Sequence, residues 1–332
     1  MRRALVTGAT GGLGLALVPA LLAHGYEVRA TGRDPAAGQR LAAAGAEFMA
    51  AELTDPAAAA PLVAGRDVVF HAAALSSVWG PPAAFAAINI AATERLLTAA
   101  RAAGCDAFVY VSTPSVYAEA RDRLDLTEES PLARRFANAY AATKAAAEQR
   151  VLAANAPGFA TVAVRPRALV GPDDKVLLPR LLRVARSGRF PLFRGGRAMI
   201  ELTDVGDAAE ALVAADLRRA AIGGRVFNVS GGAPMSVRET LDAVFAALGL
   251  APRLVDAPVP LVAGGCAVAE AVCAWLPGRP EPPATVYSLT TLAFSQTFDL
   301  TAARQALGWA PRTPPLVAIA RTAAAWGRHA PL

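Results

Sequence analysis

A doubly wound α/β fold is the architecture this sequence predicts: a Rossmann-type parallel sheet with a smaller, interleaved C-terminal substrate domain. Three observations predict it. Short apolar runs alternate with alanine-rich helical stretches through the first half. The first run enters a glycine-rich loop that opens straight into a helix. The second half is irregular and punctuated by proline. With 332 residues, 54% of them hydrophobic and 18% charged, the chain is long enough for one large domain plus a smaller one and rich enough for a sizeable core.

The strand-like runs are Arg3 to Thr7, Glu27 to Thr31, Asp67 to His71, Phe108 to Ser112 and Thr161 to Arg165. Their near-continuous apolar character marks strands buried on both faces of a parallel sheet. Helical stretches fall at about 12–24, 83–103 and 139–155. Pro19 lies inside the first and should kink it, because proline removes a helical N–H and crowds the preceding turn. Gly224 to Val229 reads as a further strand. Ser236 to Leu248 reads as a helix opened by a capping box, Ser236 with Glu239. The dinucleotide-binding part is expected over 1–165 plus about 203–230, and the substrate part over about 166–202 and 231–325. The apolar segment Pro258 to Leu276 is too short and too interrupted to cross a bilayer. It is expected as a buried or ligand-covering helix, with a monotopic membrane contact as the alternative.

Composition excludes several functions. The net charge is +6, but thirty-one of the thirty-three basic residues are scattered arginines, with lysine only at 144 and 175. Nucleic-acid binding would call for clustering. Cys105, Cys266 and Cys273 have neither metal-ligand spacing nor an even count, and are expected as small buried apolar residues. His24, His71 and His329 are far apart, so no metal site is expected. A strand beginning at residue 3 leaves no room for a signal peptide, and a cytoplasmic location is the expectation.

Residues 3–14 read RALVTGATGGLG. The chain must turn tightly at Gly8, bring bare backbone against a pyrophosphate at Gly11, and pack helix on strand at Gly14. The helix then aims its unpaired N–H groups and positive dipole end at the phosphates. The second strand ends in Thr31-Gly32-Arg33, where an NAD site would carry a carboxylate. Arg33 suits a 2′-phosphate. Asp34, one residue later, is the competing signal, so NADP is expected with NAD possible.

Residues 140–144 read YAATK. Helical positions four apart share a face. An ammonium beside a phenol favours the phenolate, lowering Tyr140 from its usual value of about 10, and Tyr140 could then exchange a proton near neutral pH. Upstream, VYVSTPSVY at 109–117 puts Ser112 and Thr113 at a strand's C-terminal end, where open α/β sheets place their chemistry; alone, these residues also read as a capped strand exit.

TGATGGLG, STPSVY and YAATK, in this order and spacing, resemble the extended short-chain dehydrogenase/reductase family. HAAA at 71–74, INIAAT at 88–93, VRPRALVGP at 164–172, TDVGDAAEAL at 203–212, FNVSGG at 227–232 and DLTAARQALGWAP at 299–311 extend the likeness over essentially the whole chain. The resemblance implies an NAD(P)-dependent oxidoreductase with Tyr140 as acid/base, Lys144 as its partner, and Thr113 as the catalytic hydroxyl with Ser112 beside it. It implies cofactor contacts from Gly8, Thr10, Gly11, Gly12, Leu13, Gly14, Arg33, Glu52, Leu53, Ala72, Ala73, Ala74, Asn89, Pro166 and Leu169, besides Tyr140 and Lys144. Glu52 departs from the family's usual aspartate. Substrate contacts are implied at Ser76, Trp79, Pro114 and Ser115. A homodimer through helices 83–103 and 139–155 is also implied.

Within the family, VWGPP at 78–82, the run at 177–190 and SQTFDLTAAR at 295–304 resemble the branch of 3β-hydroxysteroid dehydrogenases, dihydroflavonol reductases and 2-alkyl-3-ketoalkanoate reductases. An apolar steroid-like, flavonoid-like or 3-keto acyl substrate is expected, since 254–290 is rich in apolar residues. A nucleotide-sugar epimerase or dehydratase with tightly held NAD is the alternative; Arg194, Arg197 and Arg238 could supply its diphosphate donors.

Overall fold

The computed structural model describes residues 1–174 and 176–329. Twelve elements build the main layer system: β1 (Arg3–Thr7), α1 (Gly12–Ala23), β2 (Glu27–Gly32), α2 (Pro35–Ala43), β3 (Glu47–Ala50), β4 (Val68–His71), α3 (Ala92–Ala102), β5 (Ala107–Val111), α4 (Ala139–Ala153), β6 (Ala160–Pro166), α5 (Val205–Leu217) and β7 (Val226–Val229). The seven strands form one parallel sheet in the order β7-β6-β5-β4-β1-β2-β3. The order reverses beside β1, which opens a crevice at the strands' C-terminal ends.

The alternation of strand side chains explains why helices cover both faces. Val6, Val28, Phe70, Val109 and Val164 point to one face and pack with Leu17 and Leu21 of α1 and Leu212 of α5. Leu5, Val69, Phe108, Tyr110 and Ala163 point to the other, against Leu96 of α3 and Ala147 and Val151 of α4. β3 was not foreseen. It is a four-residue edge strand, exposed or half-buried throughout, so it lacks the apolar run that marked the central strands. α1 continues through Pro19 to Ala23. The expected helix over 83–103 is α3 preceded by a short turn at Pro82–Phe85 and a π-helical stretch at Ala86–Ala91.

A second apolar cluster lies towards the C-terminus. Leu178, Leu182, Phe190, Leu192 and Ile319 pack there with Leu241, Val244 and Phe245 of α6 (Val237–Ala247). The Ser236–Glu239 capping box that opens α6 is present on both sides. The segment at 258–276, expected as a buried or ligand-covering helix, takes the second form. It forms α7 (Val259–Trp275), of which Cys266 alone is buried among the described residues. Leu261, Val268, Val272 and Trp275 face outward, Trp275 at 90% exposure, while Val262 and Cys266 face the central cleft. α7 is a cover and not a core helix. Cys273, expected to be buried, is half-exposed, and all three cysteines are free.

Candidate active site

One cleft of about 920 Å³ runs from the glycine loop, past the ends of β5 and β6, to the chamber under α7 and α8 (Val286–Ala293). At its head the loop does what the residue types require. Gly8 has φ +65°, and a Cβ there would lie 2.7 Å from the Ala73 backbone. A Cβ on Gly14 would lie 2.4 Å from Ala9 Cα and from the Gly8 carbonyl oxygen, so β1 and α1 meet as closely as backbone allows. The Gly11 N–H bonds back to Gly8 O and the Leu15 N–H to Gly11 O. The first amides of α1, those of Gly12, Leu13 and Gly14, have no helical carbonyl before them and line the cleft, the arrangement that receives phosphate. The residues present therefore fit a dinucleotide. Gly14→Ala is expected to raise the dissociation constant for NADPH about tenfold or more, because only backbone could yield; fluorescence titration checks this.

Around this head, the cleft is lined by Thr10, Leu13, Glu52, Leu53, the Ala72–Ala74 run, Pro166 and Leu169. Arg33 also lines it, 72% exposed and 3.5 Å from Glu52. The Asp34 carboxylate caps α2 by accepting the Ala37 N–H. Two positions expected to touch ligand do not line the cleft. Asn89 is buried, accepts the Leu75 N–H and donates to Leu75 O and Thr143 Oγ1; it ties the chain after β4 to α4. Trp79 donates its ring N–H to Arg279 O, and Ser76 and Val78 line the cleft in its place. His71, deeply buried, bonds Thr7 and Thr93 through its two ring nitrogens. Burial lowers its pKa to about 3, so it stays neutral and joins β1, β4 and α3.

Tyr140 and Lys144 sit on α4 as the spacing predicts, and Thr113 leaves β5 opposite them. The Thr113 hydroxyl stands beside the Tyr140 phenol and favours its charged form. Thr113 donates to Ser115 Oγ at 3.0 Å, and Ser115 Oγ lies 2.7 Å from the Tyr287 hydroxyl. Thr113 is thus the hydroxyl that acts on Tyr140, and the buried Ser112 Oγ has no partner among the described residues. Pro114 and Ser115 also line the cleft.

The expected lowering of the Tyr140 pKa by Lys144 is not found. Desolvation pushes the phenol up to about 12, opposed by the Thr113 hydroxyl. The reason is where Nζ points: it donates to Val111 O and lies 4.0 Å from the centre of the Tyr110 ring. Desolvation brings Lys144 itself down to about 7, with Glu148 working the other way. The unfolded chain keeps this proton up to the ordinary 10.5, whereas the folded chain releases it near 7. The stability carried by Lys144 therefore rises with pH between those values and is least below them. Cofactor-free protein is expected to gain about 2 kcal/mol over Lys144→Met from pH 7 to pH 9, measured by urea denaturation of both.

Sequence reasoning missed Tyr287 and Arg167, both of which line the cleft. Arg167 stood two residues past a predicted strand end, a place where ligands bind, and that was an available signal. Nothing local marked Tyr287.

A model of the NAD dependent epimerase/dehydratase family matches residues 4–230. The chain belongs to that family. A 4-hydroxy-2-methyl-3-oxo-4-farnesyl-3,4-dihydroquinoline-1-oxide ketoreductase of Stigmatella aurantiaca is 37% identical over 310 residues, covering 93% of this chain and 92% of the relative. A 2-alkyl-3-oxoalkanoate reductase of Stenotrophomonas maltophilia is 37% identical over 319 residues, covering 93% and 94%. Among solved structures, MoeE5 in complex with UDP-glucose and NAD aligns with a TM-score of 0.76 at 25% identity, covering 98% of this chain and 99% of that one. This chain is an NAD(P)-dependent oxidoreductase of the extended short-chain dehydrogenase/reductase type. Among the described residues no helix is long and apolar enough to cross a membrane.

Proposed function

We propose that the enzyme interconverts a secondary alcohol and a ketone on a largely apolar substrate, with Tyr140 as acid/base and NADP as the preferred cofactor. The observation that carries this reading is that Tyr140 and Thr113 line one cleft with the glycine loop and with apolar walls from Phe193, Leu202, Leu241, Val262 and Leu292. The relatives that act as ketoreductases over nearly their full length support it.

The nicotinamide, when bound, supplies or accepts the hydride. Thr113 and Tyr140 bond the substrate oxygen and hold its carbon in place, and in reduction the Tyr140 hydroxyl gives its proton to that oxygen. Thr113, held by Ser115, keeps the phenol's orientation. Lys144, anchored on Val111 O, would help to hold the cofactor's ribose. Pro166 and Leu169 would help to hold its nicotinamide, and the chamber's apolar side chains exclude water.

The epimerase alternative loses the donors expected for it. Arg194 is paired with Asp122 through two bonds of 2.8 Å, and neither it, Arg197 nor Arg238 lines the cleft. The test is net oxidation of NADPH on a panel of steroid, flavonoid and 3-keto acyl ketones. Turnover with stoichiometric cofactor consumption supports the reading. Purification with bound NAD and turnover of nucleotide sugars without net consumption would sink it.

The NADP preference rests on Arg33 at the tip of β2 and on the Asp34 carboxylate being engaged with α2. Arg33→Ala is expected to raise KM for NADPH roughly tenfold and leave that for NADH nearly unchanged, as befits loss of one charge-assisted contact. A homodimer through 83–103 and 139–155 is proposed on the family pattern, to be checked by sedimentation equilibrium.

A further inference from the structure

Four arginines are buried among the described residues: Arg66, Arg123, Arg165 and Arg167. Three face a carboxylate within ion-pair distance: Arg66 with Glu27 at 2.9 Å, Arg123 with Glu119 at 3.2 Å, and Arg165 with Glu148. Arg167 is the exception. It is 8% exposed, its Nε has no hydrogen-bond partner, and among the described residues no carboxylate pairs with it. Glu201 acts on it only at longer range. That carboxyl is occupied by the Ser230 hydroxyl and the Phe298 N–H.

A guanidinium cannot shed its charge, and burying one without a counter-ion is costly enough that proteins pair such groups almost without exception. Desolvation accordingly pulls the Arg167 pKa below its ordinary value. The side chain lines the cleft. Tyr287 of α8 lines the same cleft, its hydroxyl 2.7 Å from the Ser115 Oγ that Thr113 bonds, and its charge is felt by both Arg167 and Tyr140. The cation and the reacting hydroxyl therefore share one cleft and one neighbouring phenol.

We propose that Arg167 is the receptor for a carboxylate on the substrate, carried within a few bonds of the carbon that Tyr140 serves, so that the enzyme acts on 3-oxo and 3-hydroxy acids with an apolar tail. This rests on the alcohol/ketone reading above and narrows it. The guanidinium supplies a planar fork of donors matched to a carboxylate. Tyr287 is placed to donate to the same group, and the apolar chamber receives the tail. Neutral ketones of the same shape would leave the arginine unpaired, which is how a buried polar group discriminates against a ligand that lacks its partner.

The experiment compares 3-hydroxydecanoate with methyl 3-hydroxydecanoate, oxidised with NADP and with NAD, in the wild type, Arg167→Met and Arg167→Lys. The wild type is expected to favour the acid in kcat/KM by roughly 100-fold. Arg167→Met is expected to lose about that factor on the acid and less than about threefold on the ester, and Arg167→Lys to recover part of it, as for a charge-assisted bond in a desolvated site. Calorimetric titration of the same two ligands into cofactor-loaded protein reads binding apart from turnover and should show the same dependence on position 167. Thermal unfolding checks that the variants fold.

Equal handling of acid and ester by the wild type would overturn the inference. So would equal losses on both in Arg167→Met, which would mark a structural role. A raised cofactor KM with an unchanged acid-to-ester ratio would overturn it too, assigning the arginine to a cofactor phosphate. Reduction of neutral ketones with no acid preference in either assay sinks this inference and leaves the alcohol/ketone reading intact. Acid binding that Arg167→Met abolishes, with no ketone reduced, does the reverse.

Discussion

Replacing Tyr140 with phenylalanine is expected to lower kcat for ketone reduction roughly thousandfold, the usual worth of a positioned general acid, while leaving the dissociation constant for NADPH within about threefold. The phenol ring stays and its hydroxyl goes, so what is lost is the proton and the bond that orients the substrate oxygen. The pH dependence gives the prediction a second arm. With the phenol pushed up to about 12, Tyr140 holds its proton throughout the range in which enzymes are assayed. Reduction, which needs the protonated form, should show no loss attributable to this group below pH 9. Alcohol oxidation, which needs the phenolate, should rise with pH over the same range. Stopped-flow measurement in both directions from pH 6 to pH 9 checks this, and retention of most of the turnover by Tyr140→Phe would remove Tyr140 from the chemistry.

Glu148→Ala is expected to destabilise the protein by about 3–5 kcal/mol, the cost of stranding a buried charge, and that is a large part of the roughly 5–15 kcal/mol that holds a domain together. Glu148 on α4 accepts from Arg165 Nε at 2.8 Å and again from its terminal nitrogen. Arg165 also donates to the Tyr117 hydroxyl and lies 4.9 Å from the centre of that ring. Without the carboxylate, the Arg165 guanidinium remains buried with only the phenol. The same carboxylate favours the charged form of Lys144, so its loss should lower that pKa further and weaken the catalytic helix at the point where it meets β6. The midpoint of urea denaturation measures the first effect. A lowered pH midpoint of the Lys144 transition in cofactor-free protein measures the second.

What the sequence determined by itself is what depends on neighbours along the chain. The glycine loop was legible because a strand, a turn that needs positive φ at Gly8, and a helix N-terminus are consecutive. Tyr140 and Lys144 were legible because helical spacing alone puts them on one face. Thr113 was legible because a strand's end is a local event. The sheet followed from central strands that are apolar throughout, and β3 was missed because an exposed edge strand has no such run.

Only the tertiary structure decided the rest, and in each case the reason is that burial and pairing join residues distant in the chain. Asn89 is a clamp on Leu75 and Thr143 because the segment after β4 and α4 converge on it. Lys144 turns to Val111 O and the Tyr110 ring, so the Tyr140 phenol rises where spacing alone suggested a fall. α7 is a cover with an outward apolar face because what it packs on is the cleft and not the core. Tyr287 meets Ser115 across 172 residues of chain. Two arginines that stand two apart in VRPR have opposite fates, since a carboxylate from α4 reaches Arg165 and none of the described carboxylates pairs with Arg167. The motif gives both residues the same chemistry, and packing alone leaves one of them to meet a ligand.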